Sequence, residues 1–118
     1  MEIWINPGCS KCRAATAALD DAGVEYVVRR YLDDAPTEHE LAAVIDRLGL
    51  EPWHVARTEE AAALTARLDA LPRDAEHRDA WIAAMVAHPI LIQRPIITAD
   101  DGTTVIARDE ATVRAIIS

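Results

Sequence analysis

The spacing of hydrophobic positions changes several times along the chain, and each change predicts an element. Glu2-Ile3-Trp4-Ile5 is a short β-type run, which Asn6-Pro7-Gly8 breaks with three turn formers. From Ser10 to Ala22 the chain is alanine-rich, with Ala15, Ala18, Leu19 and Ala22 at helical spacing and Gly23 as a stop, which predicts a first helix. Glu25 to Tyr31 carries Tyr26, Val27, Val28 and Tyr31, a β-rich run predicted as a second strand. Thr37 and Glu40 then form a capping-box pair, and Leu41, Val44, Ile45 and Leu48 recur with helical period before Gly49.

Residues 51–87 read as helical in composition. Pro52 can open a turn, Glu59 to Leu68 is Ala-rich and charged, and Asp79 to Ala87 sets Trp81, Ile82 and Met85 on one face, so two to four helices are expected. The segment His88-Pro89-Ile90-Leu91-Ile92-Gln93-Arg94-Pro95-Ile96-Ile97 leads into a strand, with Arg94 set between Gln93 and Pro95 in its apolar sequence. Asp100-Asp101-Gly102 offers a hairpin turn, Thr103 to Ala107 returns as the partner strand, and Asp109 can cap a final helix carrying Val113, Ile116 and Ile117. The order predicts an α/β chain of thioredoxin-like fold: a small mixed four-stranded sheet flanked by helices, with a helical insertion between the second and third strands.

A length of 118 residues without a Gly/Ser linker predicts one domain over residues 1–118. The formal charge of −8, from 20 acids against 12 bases, disfavours nucleic acid as a direct partner, although a few converging arginines can still make a cleft positive. No run approaches the roughly 18 apolar residues of a membrane span. The first strand begins at Glu2 and leaves no room for a secretory signal, so a cytoplasmic location is expected, and a monomer is expected alongside it.

Two cysteines, Cys9 and Cys12, are too few for a disulfide framework, and their spacing is that of a redox motif. A cysteine reacts as thiolate, and the start of a helix lowers its pKa through unpaired N–H groups. Cys9 sits at that junction, with Lys11 and Arg13 within a turn and Pro7-Gly8 leaving the approach open. Cys12 lies three residues on, where a disulfide to Cys9 can close. Two plainer readings compete: half of a zinc site, or core filling by Cys12. Zinc needs four ligands, and His39, His54, His77 and His88 show no paired metal spacing, so no metal is expected.

Asn6-Pro7-Gly8-Cys9-Ser10-Lys11-Cys12-Arg13, joined far downstream to His88-Pro89-Ile90-Leu91-Ile92-Gln93-Arg94-Pro95-Ile96, resembles the arsenate reductase family of glutaredoxin-type fold over nearly the whole chain. The resemblance implies a thiolate at Cys9, an oxyanion pocket formed by Arg57, Arg94 and Arg108, and a cis peptide at Pro95. It also implies reduction of arsenate to arsenite with no bound cofactor. The reductant would be external: a glutathione-type thiol with glutaredoxin, or thioredoxin. Arginine suits such a pocket because its guanidinium stays charged and offers forked donors.

The sequence departs from that pattern in two places. Thr58 follows Arg57 where the family commonly continues Arg-Lys, and Cys12 stands where single-cysteine members often carry Ser. Two further readings stay open on the same fold, and the cysteine pair favours the first. One is a Spx-type redox-sensing regulator that binds RNA polymerase; the other is a general glutathione-dependent thiol reductase.

Overall fold

The computed structural model describes residues 1–118, and the chain packs as two compact units, residues 1–34 with 94–118 and residues 35–93. The first unit holds the sheet: β1 (Glu2–Ile5), β2 (Val27–Arg30), β3 (Ile96–Thr98) and β4 (Thr104–Ile106), in the order β2-β1-β3-β4. β1 runs parallel to β2 and antiparallel to β3, and β3 antiparallel to β4, so the sheet is mixed. It follows that β1 and β4 point the same way. The helices after them, α1 (Ser10–Asp21) and α6 (Glu110–Ile117), therefore start at one edge of the sheet.

Register decides which side chains meet. Ile3 stands opposite Ile97, and Ile97 opposite Val105, so all three project from one face. Ile3, Ile5 and Ile97 pack there with Ala15 and Leu19 of α1 and Val113 of α6. Each large aliphatic group fully buried in this way contributes about 1.5–3 kcal/mol. Cys12 belongs to the same core at 1% exposure. Asp109 caps α6 by accepting from the Thr112 N–H at 2.7 Å.

Two expectations need correction in this unit. The run Glu25 to Tyr31 yields only four strand residues, and Val27 and Val28 are 65% and 42% exposed, because β2 is an edge strand. Arg94 is not within a strand. The preceding Pro89–Leu91 segment winds into a 3-10 turn and Pro95 has no N–H for a ladder, so β3 begins only at Ile96.

The second unit is the helical insertion, made of α2 (Glu38–Leu48), α3 (Pro52–Val55), α4 (Ala61–Thr65) and α5 (Arg78–Ala87). α2 carries the predicted capping box: Thr37 Oγ1 accepts from the Glu40 N–H at 3.1 Å, and Glu40 Oε1 accepts from the Thr37 N–H at 3.0 Å. Gly49 closes it at φ 69°, a left-handed conformation that favours glycine. The Ala-rich segment is shorter than its composition suggests, because Arg67 takes φ 58° and a 3-10 turn at Leu68–Ala70 follows. α5 buries Trp81, Ile82 and Met85, and the Trp81 indole N–H donates to the Pro72 carbonyl at 2.9 Å.

Candidate functional site

The loop between β1 and α1 is built around Asn6. Its carbonyl accepts the Cys9 N–H at 2.9 Å, and its side-chain Oδ1 accepts the Gly8 N–H at 3.0 Å. This double hold turns the chain so that Cys9 becomes the N-cap of α1, with extended φ −91° and ψ 124°. Pro7 and Gly8 are exposed and Cys9 is partly so, which leaves the sulfur approachable.

An N-cap position faces the unpaired N–H groups of the first helical turn. Burial pushes the Cys9 thiol up, but four groups outweigh it: the main-chain N–H of Cys12, the Arg94 side chain, the Cys12 thiol and the main-chain N–H of Lys11. Together they bring Cys9 from 9.0 down to about 6. The two N–H groups act on the sulfur through their dipoles without closing a formal capping hydrogen bond. Near pH 7 Cys9 is therefore mainly thiolate.

Cys12 moves the opposite way. Burial raises it, a main-chain bond from Asn6 lowers it, and the neighbouring Cys9 charge raises it further, so its thiol is pushed up to about 11. The two sulfurs are a matched pair, one charged acceptor and one neutral donor, and both are free thiols. Core membership and a bond to Cys9 are both true of Cys12.

Arg94 immediately precedes the cis Arg94–Pro95 peptide, and its Nε and Nη1 are shut off from solvent. Its side chain donates towards the Cys9 sulfur. Arg108, just past β4, donates from Nη1 to the Arg94 carbonyl at 2.6 Å. Cys9, Cys12, Arg94, Pro95 and Arg108 thus all belong to the first unit, although 82 to 99 residues separate the cysteines from the arginines in sequence.

Arg57 belongs to the second unit. Its guanidinium donates to Gln93 Oε1 at 2.9 Å and Glu60 Oε1 at 3.2 Å and lies 3.5 Å from Glu59 Oε1, while its N–H donates to the Leu91 carbonyl at 2.6 Å. Two carboxylates neutralise it locally. The Glu59-Glu60 pair just after Arg57 was the signal in the sequence for this environment. Asn6 goes beyond the turn former its residue type suggests, and the Asn-Pro-Gly-Cys spacing is the sequence signal for its hold on the thiol loop.

Lys11 and Arg13 are exposed; Lys11 acts on Cys9 through its main-chain N–H, and neither cationic side chain is among the groups that set the Cys9 acidity. A groove of about 390 Å³ is lined by Lys11, Ala14 and Ala18 of α1, Val113 of α6 and Arg108, and neither cysteine lines it. No group of three or more His, Cys, Asp or Glu side chains is arranged to hold a metal ion, and no helix is long and apolar enough to cross a membrane.

A family model described as the ArsC family matches residues 4–116. The chain is 58% identical over 118 residues to a Streptomyces viridochromogenes protein described as "uncharacterized protein in glnII region", covering 100% of this chain and 99% of that one. It is 32% identical to an arsenate reductase of Neisseria meningitidis, covering 99% and 97% of the two chains. Among solved structures, an arsenate reductase from Vibrio cholerae superposes with a TM-score of 0.86 at 34% identity, covering 98% of each chain.

Proposed function

The chain belongs to the ArsC family and is a thiol-dependent oxidoreductase of that thioredoxin-like group, and from this premise we propose that it reduces arsenate to arsenite through Cys9. The observation that carries the reading is the Cys9 thiol lowered to about 6 beside the Arg94 side chain. A thiolate and a guanidinium set together are the nucleophile and the charge stabiliser that attack on an oxyanion needs.

In the first step the Cys9 sulfur forms a bond to arsenic while one arsenate oxygen takes up protons and leaves as water. Arsenic stays at the +5 level. Arg94 and Arg108 hold the remaining oxygens. An external glutathione-type thiol then attacks: arsenic takes two electrons and departs as arsenite, and the two sulfurs join as a mixed disulfide on Cys9. A second thiol, carried by a glutaredoxin-type partner, restores Cys9 by exchange.

Cys12 favours a second route for recycling. Burial is the main cause that holds the Cys12 thiol up, but once Cys9 is in a mixed disulfide it carries no charge, so the part due to its repulsion is relieved, and Cys12 can displace the bound thiol to give a Cys9–Cys12 disulfide. That bond would need a dithiol partner of thioredoxin type. The test is arsenate turnover with each reductant for wild type, Cys9→Ser and Cys12→Ser. Loss with Cys9→Ser alone indicates external recycling, and loss with both indicates the internal disulfide. A wild type that turns over no arsenate in either system overturns the reading; a reversible Cys9–Cys12 disulfide would then point to the redox-switch regulator, and disulfide reduction with glutathione to the general thiol reductase.

A further inference from the structure

The β3–β4 register places Ile96 opposite Ile106. Continued outward, it sets Pro95 opposite Ala107, whose N–H donates to the Pro95 carbonyl at 2.9 Å, and Arg94 opposite Arg108. Like charges directly opposite on paired strands repel. Here the two guanidinium groups take different tasks. Arg108 turns its Nη1 onto the Arg94 carbonyl at 2.6 Å, and Arg94 sends its side chain, with Nε and Nη1 buried, towards the Cys9 sulfur.

We propose that Arg108 is a positioning residue, which fixes the Arg94 main chain by its hydrogen bond to the carbonyl and so holds the Arg94 side chain against Cys9. The proposal rests on the reading of Cys9 as the reacting thiolate, and it acts before any substrate arrives. An oxyanion ligand would matter only once the oxyanion is bound. Without the clamp, the segment that joins the 3-10 turn at Pro89–Leu91 to β3 keeps the Ala107 bond to Pro95 but loses the Arg108 bond one residue earlier, where the Arg94 side chain originates.

The test is the rate of Cys9 alkylation by iodoacetamide against pH, on the full reduced chain without arsenate, in a Cys12→Ser background so that one thiol reports. Arg94→Ala, Arg108→Ala and the double variant are compared with their parent, with folding checked by circular dichroism. Arg108→Ala is expected to raise the midpoint by about one unit, so that the thiolate fraction at a parent midpoint near pH 6 falls from about one half to about one tenth. On the Arg94→Ala background the same change should add nothing, because the effect runs through Arg94. Arg108→Met, which keeps the aliphatic stem, serves identically if the alanine variant does not fold. An unmoved midpoint, or the same shift in both backgrounds, overturns the proposal. Since no arsenate is present, a protein that fails to reduce arsenate loses the functional reading and leaves this result intact.

Discussion

A lowered thiol pKa must show itself in folding, and Cys9 allows the size to be worked out. The folded-state value is about 6 against an ordinary 9.0, so between those values the unfolded chain binds more protons than the native one. Stability from this source is fully present above pH 9 and is lost as the pH falls through 6. At about 1.4 kcal/mol per unit, the contribution is near zero at pH 5 and at most about 2.7 kcal/mol at pH 8. Cys9 is partly exposed, and solvent screening reduces that ceiling to roughly 1 kcal/mol. Urea unfolding of wild type and Cys9→Ser at pH 5, 6, 7 and 8, under a phosphine reductant, measures it as the difference between the two proteins. The other ionisable groups are common to both proteins, and in the wild type Cys12, pushed up to about 11, stays protonated across this range. The difference should widen by about 1 kcal/mol in favour of wild type from pH 5 to 8. A gap that stays flat would refute the thiolate at the helix start, whatever its absolute size.

Three further outcomes follow from the same contacts. Arg94→Ala should lower arsenate turnover by about 10²–10³-fold while costing general disulfide reduction far less, because only the oxyanion step develops charge on oxygens; equal losses in the two assays would count against it. Cys12→Ala should raise the Cys9 alkylation midpoint more than Cys12→Ser, whose hydroxyl can still donate to the sulfur; identical midpoints would remove Cys12 from the thiolate's support. Trp81→Ala should cost about 3–5 kcal/mol in chemical unfolding, since the indole is fully buried and its N–H is bonded to the Pro72 carbonyl; a loss below 1 kcal/mol would mean that α5 is not packed as described.

Local chemistry alone determined a good part of this protein. The capping box at Thr37 and Glu40, the Asp109 cap and the turn at Asp100-Asp101-Gly102 are short-range decisions made by side chains bonding to main chain within four residues, the left-handed stop at Gly49 is made by its own backbone, and all are legible without knowing the fold. The element order and the placement of Cys9 at a helix start are of the same kind.

What surrounds the sulfur was decided elsewhere. Lys11 and Arg13 are near Cys9 in sequence, but helical geometry leaves them exposed, and the cation that reaches the thiol is Arg94, brought across the sheet by the pairing of β1 with β3. The exposure of Val27 and Val28 could not be read from their β-propensity, because it depends on β2 lying at the sheet edge. The opposed placement of Arg94 and Arg108 likewise exists only through the β3–β4 register. Charge acts through space and falls with distance, whereas neighbours in sequence say little about distance once the chain has folded. A sequence can therefore show where a thiol will sit well before it shows what will hold it ionised.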